Sequence, residues 1–96
     1  MLHLIFQSPI ELAVLERIAL GDDVVFLENA VLRILEKGSL GASLSECLKQ
    51  NRLYVLADDI GVRGIQLSEL VTGIEVIGYE ELVALTIKNP VIQSWS

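Results

Sequence analysis

The chain has a single cysteine, Cys47, in 96 residues. An internal disulfide is therefore excluded, and so is a metal centre built from several thiolates, which leaves the chemistry of one thiol. Basic residues are scarce as well: 7 lysines and arginines stand against 13 acidic residues, a formal net charge of −6. Such a balance repels phosphodiester backbones and anionic bilayers, so direct binding of nucleic acid or of a membrane surface is not expected. No apolar run approaches the ~20 residues of a membrane-spanning helix. The opening Met1-Leu2-His3-Leu4-Ile5-Phe6 lacks the basic leader and cleavage site of a secretion signal, and a cytoplasmic protein is expected. Internal repeats and low-complexity tracts are also missing.

What the chain has in quantity is apolar character. Hydrophobic residues make up 52% of it and the mean hydropathy is +0.55. A domain of this size buries only about two-thirds of its unfolded surface. Residues 1–96 thus read as one domain with apolar surface to spare for neighbouring subunits, including copies of itself in isolation. The closing Val91-Ile92-Gln93-Ser94-Trp95-Ser96 points the same way. Chain ends fray unless something holds them, and loss of a buried tryptophan costs roughly 3–5 kcal/mol. Trp95, the sole tryptophan, is expected to dock against the sheet edge or a subunit contact.

Strands and helices alternate along the chain. Leu2 to Phe6 suits a strand covered on both faces, and Ser8-Pro9-Ile10-Glu11 has the form of a capping box that opens a helix through about Leu20. Gly21 offers a left-handed stop before a second buried strand, Asp23 to Leu27. Ala30 to Lys37 reads as a short helix, Gly38 to Ser43 as a mobile loop, and Leu44 to Gln50 as a further helical stretch. Arg52 to Leu56 is a third strand, and Asp58-Asp59 opens a helical turn that stops near Gly61 or Gly64. Gly73 to Ile77 is a fourth strand, and Tyr79 to Lys88 a last helix ended by Asn89-Pro90. The pattern predicts an α/β fold: a small doubly wound domain, Rossmann-like or flavodoxin-like, with a mainly parallel sheet of about four to five strands flanked by helices. A dinucleotide site would show Gly-x-Gly-x-x-Gly after the first strand, where this chain has Gln7-Ser8-Pro9-Ile10-Glu11. No cofactor is expected, and a small anion or nucleotide module rests on the doubly wound pattern alone.

Few residues carry candidate chemistry. Cys47 near Lys49 is a candidate persulfide carrier, but Leu44, Cys47 and Leu48 share one helix face, where a free thiol behaves as a small inert hydrophobe. His3 has no nucleophile in view and reads as a structural polar group on the first strand. Asp58 and Asp59 read as helix-start carboxylates favoured by the dipole, with Arg63 placed to pair with them or to meet a partner.

Met1-Leu2-His3, Ser8-Pro9, the Asp59 to Gly64 segment with Arg63-Gly64, Tyr79 with Leu85-Thr86, and Lys88 to Trp95 occur in the order and spacing of the TusB/DsrH family. The chain resembles that family from end to end. The resemblance implies a DsrEFH-like fold and a B-type subunit beside TusC-like and TusD-like (DsrF-like and DsrE-like) partners. Their heterohexamer relays persulfide sulfur for 2-thiolation of the tRNA wobble uridine; in the related DsrEFH complex it serves sulfur oxidation. Some DsrH members carry a cysteine in the first helix, and Pro9 to Leu20 here has none, which implies a supporting, non-catalytic subunit. His3, Arg63, Tyr79 and Trp95 are the structural or interface candidates.

Overall fold

Four short apolar segments and the tail join in one sheet. Strands β1 (Leu2–Ile5), β2 (Asp23–Phe26), β3 (Arg52–Leu56), β4 (Glu75–Ile77) and β5 (Ile92–Trp95) lie in the order β4-β3-β2-β1-β5. All four pairings are parallel. The computed structural model describes residues 1–6, 18–19, 21–35 and 41–95. Between the strands lie a 3-10 helix (Glu28–Arg33), α1 (Gly41–Leu48), α2 (Ala57–Val62), a 3-10 turn (Leu67–Glu69) and α3 (Tyr79–Lys88). The predicted capping box at Ser8 and the helix it opens fall outside the described residues.

Strand order explains the layering. From β1 to β4 the chain steps in one direction across the sheet, and from β4 to β5 it returns past all of them. Right-handed crossovers then put α1 and α2 on one face and α3 on the other. Side-chain alternation makes a core on each face. Ile5, Val24, Phe26, Leu53 and Val55 pack with Ala30, Val31, Ile34, Leu44 and Ile60 on the first. Leu2, Val25, Tyr54, Leu56 and Ile77 pack with Leu85 of α3 on the second.

The expected doubly wound parallel sheet is present, with local departures. The predicted helix from Ala30 to Lys37 is a 3-10 helix that ends at Arg33, because Leu35 leaves it to bridge Leu70 and the Ile34 carbonyl accepts the Val71 N–H. Long-range pairing thus outcompetes the local helical pattern there. Gly41 to Ser43, expected in a loop, form the first turn of α1. The fourth strand starts at Glu75, since Gly73 adopts φ +105°. A side chain there would be strained, and its Cβ would lie 3.1 Å from Leu48 Cδ1. Gly73→Ala is expected to cost about 1–2 kcal/mol, read as a shift in the urea midpoint without change in slope.

The tail departs furthest from an ordinary chain end. Pro90 cannot continue α3, and β-branched Ile92 then opens an edge strand on β1. The N–H of Leu2 donates to the Val91 carbonyl at 2.9 Å and that of Phe6 to the Trp95 carbonyl at 3.0 Å. Ile5 and Trp95 are register partners, as are His3 and Gln93.

Candidate functional site

A carboxylate between a glycine and a buried strand organises the amino edge of the sheet. Asp22 is 8% exposed. Its Oδ2 accepts from His3 Nε2 at 2.8 Å and from the Ala19 N–H at 3.0 Å, and its Oδ1 from the terminal ammonium of Met1 at 3.2 Å. Burial works to raise this carboxyl, while the His3, Ala19 and Met1 donors lower it, and the donors prevail: it is held below its ordinary value. Asn51 ties in the next loop by donating its side-chain amide to the carbonyls of Ala19 and Asp22.

On the far side of the imidazole stands the tail. Trp95 Nε1 lies 3.1 Å from His3 Nδ1. An indole nitrogen can only donate, so Nδ1 is the acceptor and the ring proton sits on Nε2, where it meets Asp22. The two rings are nearly coplanar, at 19° with centroids 6.3 Å apart, the edge-to-edge arrangement that an in-plane N–H···N bond requires. His3 is 2% exposed. The imidazole therefore connects the last strand, through β1, to the entry of β2, and all of its polar capacity goes into that connection.

Arg63 lies at the opposite, carboxyl edge, on a loop clasp. Its Nη1 donates to the Asp59 carbonyl at 3.0 Å and its Nη2 to Asn29 Oδ1 at 2.9 Å. Asp59 Oδ2 accepts the Glu28 N–H at 2.8 Å. Glu28 has φ +51°, a left-handed conformation that only surrounding bonds can impose on a side-chain-bearing residue. Asp59 thus holds the loop after β2 rather than capping its own helix. Asp23, also buried, accepts from Lys88 Nζ and Asn89 Nδ2, each at 3.1 Å, and fastens the end of α3 to β2.

Cys47 stands on α1, partly buried against the first core. Burial pushes its thiol above the ordinary value. The neighbouring cation does not help, because Lys49 Nζ donates to Glu46 Oε1 at 3.0 Å. The thiol is held protonated, the reverse of what a nucleophilic sulfur needs. Among the described residues, no group of three or more His, Cys, Asp or Glu is placed to hold a metal ion, and no helix is long and apolar enough to cross a membrane. Tyr79 opens α3 and is 58% exposed.

Comparison with known proteins decides the kinship. The family model described as DsrH like protein matches residues 7–91. The chain belongs to the DsrH-like family. Curated relatives of this DsrH-like chain include Protein TusB of Erwinia tasmaniensis, 36% identical over 99 residues, which covers 99% of this chain and all of that one. Protein TusB of Enterobacter sp. is 34% identical over 101 residues, with the same coverage. Two solved structures share the fold: MTH1491 of Methanobacterium thermoautotrophicum, described as of unknown function, and the ychN protein of E. coli. Their TM-scores are 0.78 and 0.73 at 13% and 17% identity, each covering 98% of this chain and 96% and 97% of the other.

Of the residues singled out from the sequence, the fold joins His3 to Trp95 and leaves Arg63, Tyr79 and Cys47 on separate elements. Sequence reasoning missed Asp22, Asn51 and Asn89. The Asp22-Asp23 pair, flush against an apolar strand in a chain with one histidine, is the signal that pointed to the first; Asn51 and Asn89 gave none.

Proposed function

We propose that this chain is a non-catalytic B-type subunit of a cytoplasmic sulfur-relay assembly of the TusBCD kind. Its partners are TusC-like and TusD-like subunits, and the assembly passes persulfide sulfur toward 2-thiolation of the tRNA wobble uridine. The observation that carries this reading is a full-length match to proteins called TusB in a chain whose one thiol is half-buried and protonated. A sulfur carrier must present an accessible thiolate to its donor and acceptor. This chain instead offers rigidity: the Asp22–His3–Trp95 network and the Arg63 clasp hold both edges of the sheet, so partners meet a preformed surface.

Mixing the chain with TusC-like and TusD-like subunits is expected to give a single complex on size exclusion, and failure to co-elute would overturn the assignment to the assembly. Within that complex, Cys47→Ser is expected to leave the rate of sulfur transfer to the next carrier within about twofold of the unmodified protein. An intact complex that loses transfer on this change would make Cys47 a carrier and end the non-catalytic reading.

A further inference from the structure

The basic side chains among the described residues gather in one place. Arg63 is locked in its clasp at the carboxyl edge, while Lys49, Arg52 and Lys88 all line one hollow of about 390 Å³ at the amino edge. A second hollow of about 240 Å³ shares Leu48, Asn51 and Arg52 with the first, so the two run together as an open groove past the start of β3. The three cations are not equivalent. Lys88 is spent on buried Asp23, which is the one carboxylate lining the larger hollow among the described residues, and that pair is close to neutral. Lys49 pairs with Glu46, but at 69% and 73% exposure water screens the two and the pairing holds little. Arg52 is exposed, and among the described residues its side chain has no hydrogen bond or ion pair. Glu75 of β4, in the smaller hollow, is the one acid left against Arg52 and Lys49. The carboxyl end of α1 does not cancel them, because the Cys47 carbonyl accepts the Gln50 and Asn51 N–H groups and the Gln50 carbonyl accepts that of Gly21. The groove is therefore positive in a chain of net charge −6.

We infer that this groove docks an acidic segment of a partner protein, with one carboxylate on Arg52 and a second near Lys49. An uncommitted guanidinium takes a carboxylate through two parallel N–H···O bonds. Both cations stand in water, where a single ion pair is worth little, so an isolated small anion gains almost nothing and several carboxylates on one chain gain together. Leu48 and Gly73 give the groove an apolar floor for the methylenes that come with those carboxylates. Charge also fixes the place of docking. Glu28 after β2, Asp58 in α2 and Glu80 in α3 lie at the opposite edge of the sheet and turn the same segment away from it. A polynucleotide is a poorer occupant, since its charge continues past the groove onto a surface that repels it. The inference does not depend on the sulfur-relay role.

Backbone amide shifts of the isotope-labelled full chain, titrated with N-acetyl-hexaglutamate at about 20 mM salt, test it. Saturable shifts are expected at Gly21 and from Leu48 to Arg52, with a Kd of about 1 mM or below, and they should vanish at about 300 mM salt. Arg52→Gln is expected to weaken binding by at least about fivefold. Its side chain is exposed and uncommitted, so Tm should hold, which separates loss of docking from loss of fold. Leu67→Glu, at a residue 64% exposed on another element, changes the net charge by the same amount and is expected to alter Kd by less than about twofold. Absence of saturable shifts, shifts confined to other elements, or equal weakening by Arg52→Gln and Leu67→Glu would each overturn the proposal. So would a short oligouridylate that produces the same shifts at lower concentration than the peptide.

Discussion

Asp22→Ala is expected to destabilise the protein by about 3 kcal/mol, from one buried charged hydrogen bond at about 2 and one backbone bond at about 1. For a chain of this length that corresponds to a fall in Tm of roughly 12 °C or more. The cost falls mainly on His3, which is 2% exposed and would keep an Nε2–H with no acceptor. The Met1 ammonium contributes less, because its residue is 46% exposed and water replaces the lost carboxylate. Asp22→Asn keeps one acceptor oxygen and should fall between the two proteins. His3→Ala and Asp22→Ala combined should cost less than the sum of the single changes, since each already removes the shared bond. Calorimetry on the four proteins measures this directly, and a Tm for Asp22→Ala within about 3 °C of the unmodified chain would show that the network carries little stability.

The same carboxylate sets an acid limit. Its folded-state value lies below the ordinary 3.8, so the native state binds the proton less readily than the unfolded chain. The stabilisation from Asp22 is therefore complete above about pH 5 and is lost as pH falls below 4 through the folded value. The stability gap between the unmodified protein and Asp22→Asn should stay constant from about pH 5 to 7 and shrink below 4, as chemical denaturation at a series of pH values would read it. A gap that grew on acidification would reverse the assigned direction.

How much of this was legible in the sequence differs from element to element. β3 and α3 fall at the predicted residues, because each has a strong period and clean punctuation: Asn51 before Arg52, Gly78 before Tyr79, Asn89-Pro90 after Lys88. The 3-10 helix over Glu28–Arg33 was misread, because its ending depends on Leu70 and Val71, which lie far along the chain. Glu28 gave no warning at all. A left-handed glutamate is held by Asp59, 31 residues away, and no local pattern encodes that contact. The tail was legible as something that must dock, from one tryptophan beyond a proline. That it docks as a strand on β1 follows from register, which sequence alone does not carry. The helix expected before Gly21 bears on none of these points, since residues 7–17 lie outside the described residues.

Trp95→Ala is expected to cost about 3 kcal/mol, near the low end for a tryptophan because the side chain is only partly buried. Two losses add. The indole leaves the first core, against which it packs, and His3 Nδ1 loses the N–H that fixed its tautomer. Trp95→Phe separates them, since it keeps most of the apolar area and removes only the donor; about 1 kcal/mol of the total should remain. Trp95 is the chain's one tryptophan, so its emission reports the tail alone while the far-ultraviolet signal reports the whole sheet. The two melting curves should coincide, because β5 is joined to β1 by register pairing at four positions and cannot leave without exposing Leu2 and Ile5. Emission that shifts well before the circular dichroism changes would mean that β5 is a separately fraying edge, and the His3–Trp95 bond would then close the tail without stabilising the fold.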